Sequence, residues 1–350
     1  MKKALITGVT GQDGSYLAEL LLQKGYEVYG MVRMSSLNNL VRIENILNNN
    51  NFHILYGDMT DEASLYRVVK TANPDEIYNL AAQSHVGLSS NFSEYTTNVN
   101  ALGVLRLINV INSLGLQNKI KMYQALTSDV FGNVEDNILN ENTQIKPINP
   151  YSCAKAYALM LTRNYREQGM FIVNGIAFAH ESKRRPDKFV TRKIIKAAVR
   201  IKYGKQEKLS LGNIDVRRDW GHAKDFVKGM WLAMQMEKPD DYVFATGVTT
   251  SLKEFCEKVF AKLGITLEFN GEGENTKVYD VKTGKLIIDI DPQFTRKNEK
   301  MNPIGDYSKA KNVLGWKPEY TIDDIINEMV ESELSLNSAE TVKHKNELLI

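Results

Sequence analysis

The chain predicts a doubly wound parallel α/β fold with a second, smaller mixed α/β domain. Three observations predict it. Short apolar strands alternate with amphipathic helices from the first residues onward, a glycine-rich turn joins the first strand to the first helix, and basic segments break the alternation after Asn174.

With 350 residues, the length allows one large α/β unit or two joined domains. The balance of 44 basic against 42 acidic residues, net +2, argues against a nucleic-acid partner. No run approaches the ~20 apolar residues that cross a bilayer. The opening Met1-Lys2-Lys3-Ala4-Leu5-Ile6-Thr7-Gly8 has too short an apolar run for a signal peptide. Cys153 and Cys256 are too few for a disulfide framework, and no Cys/His cluster has zinc spacing. The reading is a soluble cytoplasmic protein with no nucleic-acid, membrane or metal partner.

Lys3 to Thr7 reads as a strand, Gly8-Val9-Thr10-Gly11-Gln12-Asp13-Gly14 as a turn, and Ser15 to Gln23 as a helix. Glycines there let backbone N–H groups approach a pyrophosphate at the helix's positive end. In its strand–turn–helix setting the turn marks a Rossmann-type dinucleotide site, with Gly8, Thr10, Gly11, Gln12, Asp13 and Gly14 as cofactor contacts. The second strand, Glu27 to Val32, ends in Arg33-Met34-Ser35-Ser36 with no acid for a ribose hydroxyl. Arg33 and Ser35 suit a 2′-phosphate, which favours NADP over NAD.

The strand His53 to Tyr56 leads to Asp58, able to accept from an adenine amino group, and Met59. Ala63 to Thr71 is predicted helical and Glu76 to Leu80 a strand. Its far end delivers Leu80, Gln83 and Ser84 to the rim where such sheets bind ligands. Asn98 to Leu114 reads as one long helix. The strand Ile120 to Leu126 then brings Thr127, Ser128 and Asp129 to the same rim.

Asn149 can cap the next helix and Pro150 suits its first turn. Tyr151 and Lys155 stand four apart, on one face. An ammonium beside a phenol favours the phenolate, lowering a pKa that is about 10 unperturbed, so Tyr151 can take a proton from an alcohol as a hydride leaves.

Further on, Asp225 to Met236 reads as a helix, Asp241 to Thr246 as a strand, and Leu252 to Leu263 as a helix capped at Thr250 or Ser251. Lys277 to Asp280 and Leu286 to Ile290 form a hairpin. Ser308 to Leu314 ends at Gly315, and a last helix runs from Thr321 to about Leu336. The expected division is a cofactor domain over 1–173 with returning segments near 214–246, and a substrate domain over 174–213 and 247–350.

Several blocks resemble the GDP-mannose 4,6-dehydratases, within the extended short-chain dehydrogenase/reductases. They are Gly8 to Glu19, Asn79 to Val86, Glu94-Tyr95-Thr96, His180-Glu181-Ser182, Arg184-Arg185, Phe189 to Ile194, Leu211-Gly212-Asn213 and Arg218 to Asp225. The resemblance implies bound NADP, oxidation at sugar C4, loss of water across C5 and C6, and hydride return to C6. It implies Tyr151 as the C4 base, Lys155 as its electrostatic partner, Thr127 on O4 and residue 129 working at C5 and C6. It adds His180 and Arg185 to the cofactor contacts. It assigns Ser84, Ser128, Asn174, Lys193, Leu211, Gly212, Arg218, Arg296 and Glu299 to a GDP-sugar, and it implies a homodimer or homotetramer with a candidate contact in the loop from Ser35 to Arg42.

Four positions depart from the family pattern. Asp129 stands for Glu, Phe131 for Tyr, Leu126 for a small hydroxyl residue, and Ala179 for Asn. Shortening a carboxylate by one methylene retracts it by roughly 1.5 Å, and ~1 Å of misplacement can cost on the order of 10²-fold. These departures raise a GDP-manno-heptose as an alternative sugar. They also keep open a C4-specific dehydrogenase or 4-epimerase, ahead of a nucleotide-sensing scaffold without activity.

Overall fold

The computed structural model describes residues 1–295 and 302–347, the last nine as helical backbone only. The chain divides into two compact units. The first comprises Met1–His180, Ala223–Gly247 and Ile304–Glu319, and the second Glu181–His222, Val248–Pro303 and Tyr320–Ile350. Residues 174–180 and 304–319 thus lie in the first unit and 214–222 in the second.

Seven strands build the first unit's sheet: β1 (Lys3–Thr7), β2 (Glu27–Val32), β3 (Phe52–Tyr56), β4 (Glu76–Asn79), β5 (Lys121–Thr127), β6 (Ile172–Ala177) and β7 (Asp241–Phe244). Their order is β7-β6-β5-β4-β1-β2-β3, and every pairing is parallel. The order reverses between β1 and β4, the crevice where doubly wound sheets take ligands.

Helices α1 (Gln12–Gln23), α2 (Glu62–Ala72), α3 (Gly103–Ser113), α4 (Pro150–Glu167) and α5 (Ala223–Met234) cover the two faces. Alternate strand residues feed opposite cores, as the two-residue period of a strand requires. Leu5, Ile77 and Met122 pack with Leu107, Ile111 and Leu159 on one side. Ala4, Ile6, Tyr78 and Tyr123 pack with Leu17, Phe226 and Met230 on the other. Trp316, 1% exposed, brings the 304–319 segment onto this second core. It stands edge-on to Phe226 and Phe244 and donates from its indole N–H to the Asp225 carbonyl at 2.7 Å.

The predicted long helix from Asn98 is a composite. A helical turn over Ser93–Thr97 passes through a widened π turn over Asn98–Leu102 into α3. Such a turn loosens the usual i to i−4 pattern. Arg106 reaches back, donating to the Asn98 carbonyl at 3.1 Å and to its side-chain oxygen at 2.7 Å.

The second unit holds a four-stranded sheet ordered Leu267–Asn270, Lys277–Asp280, Leu286–Ile290 and Leu209–Leu211. The hairpin turn is tied by Asp280, which accepts from Lys282 N–H at 3.0 Å and Thr283 Oγ1–H at 2.6 Å. Ser251 and Glu254 close a capping box on the helix Leu252–Lys262. A helix over Val190–Lys202 was hidden in the basic segments. It buries Ile194, Ile195, Ala198 and Val199, and its Arg192 pairs with Glu333 at 2.7 Å. The last helix, Ile322–Glu347, runs past its predicted end. Among the described residues no helix is long and apolar enough to cross a membrane.

Candidate active site

The glycine turn is shaped for close backbone approach. Gly8 has φ +70°, and a Cβ on it would meet the Ala81 backbone at 2.9 Å; one on Gly14 would lie 2.4 Å from the Gly8 carbonyl oxygen. Gly11 donates its N–H to that oxygen at 3.0 Å and begins α1 with no side-chain cap. A helix start left without a capping side chain at a switch point fits a dinucleotide's diphosphate.

Gln12 is buried, and its amide donates to the His180 carbonyl and to Asp13, both at 3.1 Å. The His180 ring lies between two acceptors, the Phe178 carbonyl at 2.7 Å from Nδ1 and Asp13 Oδ2 at 2.8 Å from Nε2. It stacks on Phe226 at 4.4 Å. Asp13 and His180 therefore brace the turn through each other.

Beyond β2, the exposed Arg33 donates to the Tyr95 hydroxyl, and Ser35 Oγ accepts from Leu37 N–H at 3.1 Å. Arg42, at the end of the candidate contact loop, donates to the Thr10 carbonyl of the glycine turn at 3.4 Å. Asp58 Oδ1 accepts from Thr60 N–H and Oγ1–H at 2.8 Å each. Met59 is buried, and its carbonyl takes Arg106 at 3.1 Å.

After β4, Leu80 donates its N–H to Thr7 Oγ1 at 3.1 Å, and Ser84 is exposed. Gln83 is turned into its own loop. Its amide holds His85 and Thr96, while Asn100 clamps its backbone N–H at 2.8 Å and its carbonyl at 2.9 Å. Any cofactor contact at Gln83 in this conformation would have to come from outside that bonded set.

At the end of β5, Thr127 Oγ1 accepts from Asp129 N–H at 3.2 Å and so caps a short 3-10 turn over Ser128–Phe131. Asp129 and Ser128 are half-buried, whereas Val130 and Phe131 are 0% exposed. Helix α4 packs against β5 and this turn. Its start is fixed by a capping box in which Asn149 accepts from Ser152 N–H at 2.8 Å and Ser152 Oγ accepts from Asn149 N–H at 3.1 Å. Pro150 occupies the first turn.

Tyr151 and Lys155 follow, both buried. Lys155 Nζ donates to the Ala125 carbonyl at 2.8 Å, and burial pushes its pKa down to about 8. Tyr151 stands one turn before it on the helix that covers Thr127 and Asp129. A phenol, an ammonium, a hydroxyl and a carboxyl gathered at one rim supply the groups for alcohol oxidation followed by proton abstraction beside the new ketone.

Several other candidate residues are engaged within the protein. Asn174 is 0% exposed near the start of β6, away from the carboxyl rim. Its amide donates to Asp241 and its oxygen accepts from Thr162, each at 2.8 Å, so it is bonded into the sheet. Leu211 has a buried side chain, and its carbonyl takes Asp291 N–H at 2.7 Å. Arg185 is paired with Glu181 at 3.0 Å and lies 3.6 Å over the Phe189 ring, so its charge is already engaged within the second unit.

Lys193 and Gly212 meet at the loop around Phe294. Lys193 donates to the Ser210 carbonyl at 2.7 Å and sits 3.7 Å over the Phe294 ring. Gly212 lies so close that a Cβ would be 2.5 Å from the Phe294 carbonyl. Burial pushes the Lys193 pKa down, opposed by Asp291. Arg218 donates to the Arg217 carbonyl at 2.6 Å. Arg296 and Glu299 lie outside the described residues.

The family model for GDP-mannose 4,6 dehydratase matches residues 5–329. The chain belongs to the GDP-mannose 4,6-dehydratase family. It is 49% identical over 340 residues to the GDP-mannose 4,6-dehydratase of Sinorhizobium fredii (strain HH103), covering 95% of this chain and 97% of that one. The Homo sapiens GDP-mannose 4,6 dehydratase is 46% identical, with 95% of this chain and 91% of that one covered.

Solved structures with the same fold include dTDP-glucose 4,6-dehydratase from Bacillus anthracis in complex with NAD. It has a TM-score of 0.79 and 20% identity, and covers 96% of this chain and 97% of that one. RMD from Pseudomonas aeruginosa, complexed with NADPH, has a TM-score of 0.74 and 21% identity, and covers 96% and 98%. These neighbours share the fold of this chain over nearly its whole length.

As a GDP-mannose 4,6-dehydratase family member, the chain carries its four departures unevenly. Phe131 and Leu126 belong to the core, 0% and 5% exposed. Both pack into the hydrophobic core on one side of the sheet. Only Asp129 and Ala179 keep exposed surface.

Proposed function

We propose that the protein is an NADP-dependent nucleotide-sugar 4,6-dehydratase converting GDP-mannose to the 4-keto-6-deoxy sugar nucleotide and water. The observation that carries the reading is Lys155, buried on the Ala125 carbonyl one helical turn from Tyr151, beside the Thr127–Asp129 turn. The bound nicotinamide would accept a hydride from C4 and return it to C6.

The chain's own groups do the proton work. Tyr151 takes the O4 proton, with Lys155 stabilising the phenolate, while Thr127 Oγ1 orients O4. The C4 ketone acidifies the C5 proton, which Asp129 removes; the same carboxyl then donates that proton as the C6 hydroxyl leaves as water, and the proton Tyr151 took from O4 returns to C5 when the hydride reaches C6. Arg33, Ser35 and Arg42 support a 2′-phosphate, and no acid at the end of β2 competes with it. Lys193, Gly212 and Arg218 would serve the nucleotide diphosphate. A homodimer or homotetramer is supported by Met34 and Leu37, 75% and 77% exposed in the loop after β2.

A second reading rests on Asp129. Its shorter side chain leaves room for a sugar larger at C6, a GDP-manno-heptose. Incubation with each GDP-sugar and mass analysis of the product tests both. Loss of one water from GDP-mannose supports the proposal, and strong preference for the heptose supports the second reading. Lasting NADPH or a stereoisomer of equal mass identifies a C4 dehydrogenase or epimerase instead. Tyr151→Phe is expected to abolish C4 oxidation with cofactor binding intact, and Asp129→Asn to spare oxidation and stop water loss.

A further inference from the structure

A row of polar side chains crosses an otherwise apolar face of the central sheet. Thr7, Asn79 and Gln124 are direct register neighbours across β1, β4 and β5, and none is more than 1% exposed. They share their face with Leu5, Ile77 and Met122 of the core. Three polar groups buried there destabilise the fold unless each is paired.

They are paired head to tail. Leu80 and Ala81 donate their N–H groups to Thr7 Oγ1, each at 3.1 Å. The Thr7 hydroxyl donates to Asn79 Oδ1 at 2.6 Å, Asn79 Nδ2 to Gln124 Oε1 at 2.8 Å, and Gln124 Nε2 to the Ala125 carbonyl at 3.0 Å. One end consists of backbone N–H groups that can only donate, the other of a carbonyl that can only accept. The hydroxyl and both amides therefore have a single consistent orientation, and aligned bonds of this kind reinforce one another.

The chain ends on the oxygen that holds Lys155. A carbonyl has two lone pairs; on Ala125 one takes Gln124 and the other takes Lys155 Nζ at 2.8 Å. We propose that Gln124 is a positioning residue for Lys155, confining the ammonium to one lone pair of Ala125, and that Asn79 and Thr7 tie this anchor to the loop that starts at Leu80. An apolar side chain of the same size would fill the space equally well. What the amide adds is occupancy of the second lone pair, without which the ammonium can swing across the carbonyl and away from Tyr151.

The proposal rests on the role given to Lys155 above, and its test separates the two. Gln124→Met and Lys155→Met are made singly and together in the full-length protein loaded with NADP⁺. Single-turnover C4 oxidation of GDP-mannose is followed by nicotinamide absorbance, alongside melting temperature. Acting through Lys155, Gln124→Met slows oxidation by about tenfold alone and by under about twofold in the Lys155→Met background, the non-additivity expected of coupled residues.

Gln124→Glu keeps the acceptor for Asn79 and regains the donor only when protonated. Its rate relative to the unsubstituted protein should recover as pH falls through the raised pKa of a buried carboxyl. Should Lys155→Met or the Gln124→Met fold leave too little rate to read, that pH ratio decides. Equal losses in both backgrounds, or a Gln124→Glu ratio flat with pH, make Gln124 a packing residue and overturn the proposal. An unchanged rate in Lys155→Met overturns the role of Lys155 instead.

Discussion

Raising the pH should slow C4 oxidation and, over the same range, relieve a strain on the folded state. The cause is Lys155, whose pKa burial moves from 10.5 to about 8. At ~1.4 kcal/mol per pH unit that displacement corresponds to about 3 kcal/mol. The folded-state value is lowered, so below pH 8 the folded and unfolded chains both hold the proton and the burial penalty is fully present. Between about 8 and 10.5 the folded chain has released a proton that the unfolded chain retains, so this group's contribution to stability rises with pH.

Catalysis runs the other way, because a neutral amine no longer favours the Tyr151 phenolate. Single-turnover oxidation should decline above pH 8, approaching tenfold per unit, while denaturant midpoints show no matching loss from this residue. Lys155→Arg, which keeps its charge throughout, should flatten the alkaline decline in whatever activity it retains. A rate constant that stays level to pH 10 in the unsubstituted protein would refute the claim that a buried, protonated Lys155 supports Tyr151.

Three further outcomes follow from local geometry. Gly14→Ala places a methyl 2.4 Å from the Gly8 carbonyl oxygen; overpacking of ~1–3 kcal/mol should weaken NADPH binding about tenfold or more in a fluorescence titration. Asn174→Ala strips partners from Asp241 and Thr162 and should cost ~1–3 kcal/mol of stability by denaturant melt. Its KM for GDP-mannose should not change, and a raised KM would restore Asn174 to the substrate site. Phe131→Tyr restores the family's side chain at a position that is 0% exposed, so it should cost stability in the same ~1–3 kcal/mol range for the buried hydroxyl and leave the choice between GDP-sugars unaltered.

The parts legible in the sequence were those fixed by local chemistry. β1, the glycine turn and the start of α4 carry their own signals, and the structure reproduces β1, β2 and the helix starting at Pro150 at the residues read from sequence. The helix over Val190–Lys202 was missed because its basic residues stood out before its apolar stripe did. Arg192 is one of those basic residues, yet it is buried against Glu333 from the far end of the chain. The bonding of Asn174 is hidden in the same way, since its partner Asp241 arrives only when β7 pairs with β6. The return of 304–319 depends on Trp316 finding Phe226 and Phe244, a contact without local signature. The Thr7–Asn79–Gln124 row has no sequence signature either, because it exists only through the register of three strands distant in the chain.

The two halves of the proposed chemistry rest on different supports, a long helix and a short turn, and this bears on the Asp129 departure. Lys155 is held by a carbonyl inside the sheet and by a capped helix of 18 residues. Tyr151 shares that helix, so altering the redox pair means disturbing the core. Asp129 belongs to a four-residue turn whose neighbours Val130 and Phe131 are buried while its own side chain remains half-open. A methylene can be removed there without moving a strand, a helix or the polar row. Under the proposed roles, position 129 is therefore the place where the elimination step, or the sugar served, can change while C4 oxidation stays in place.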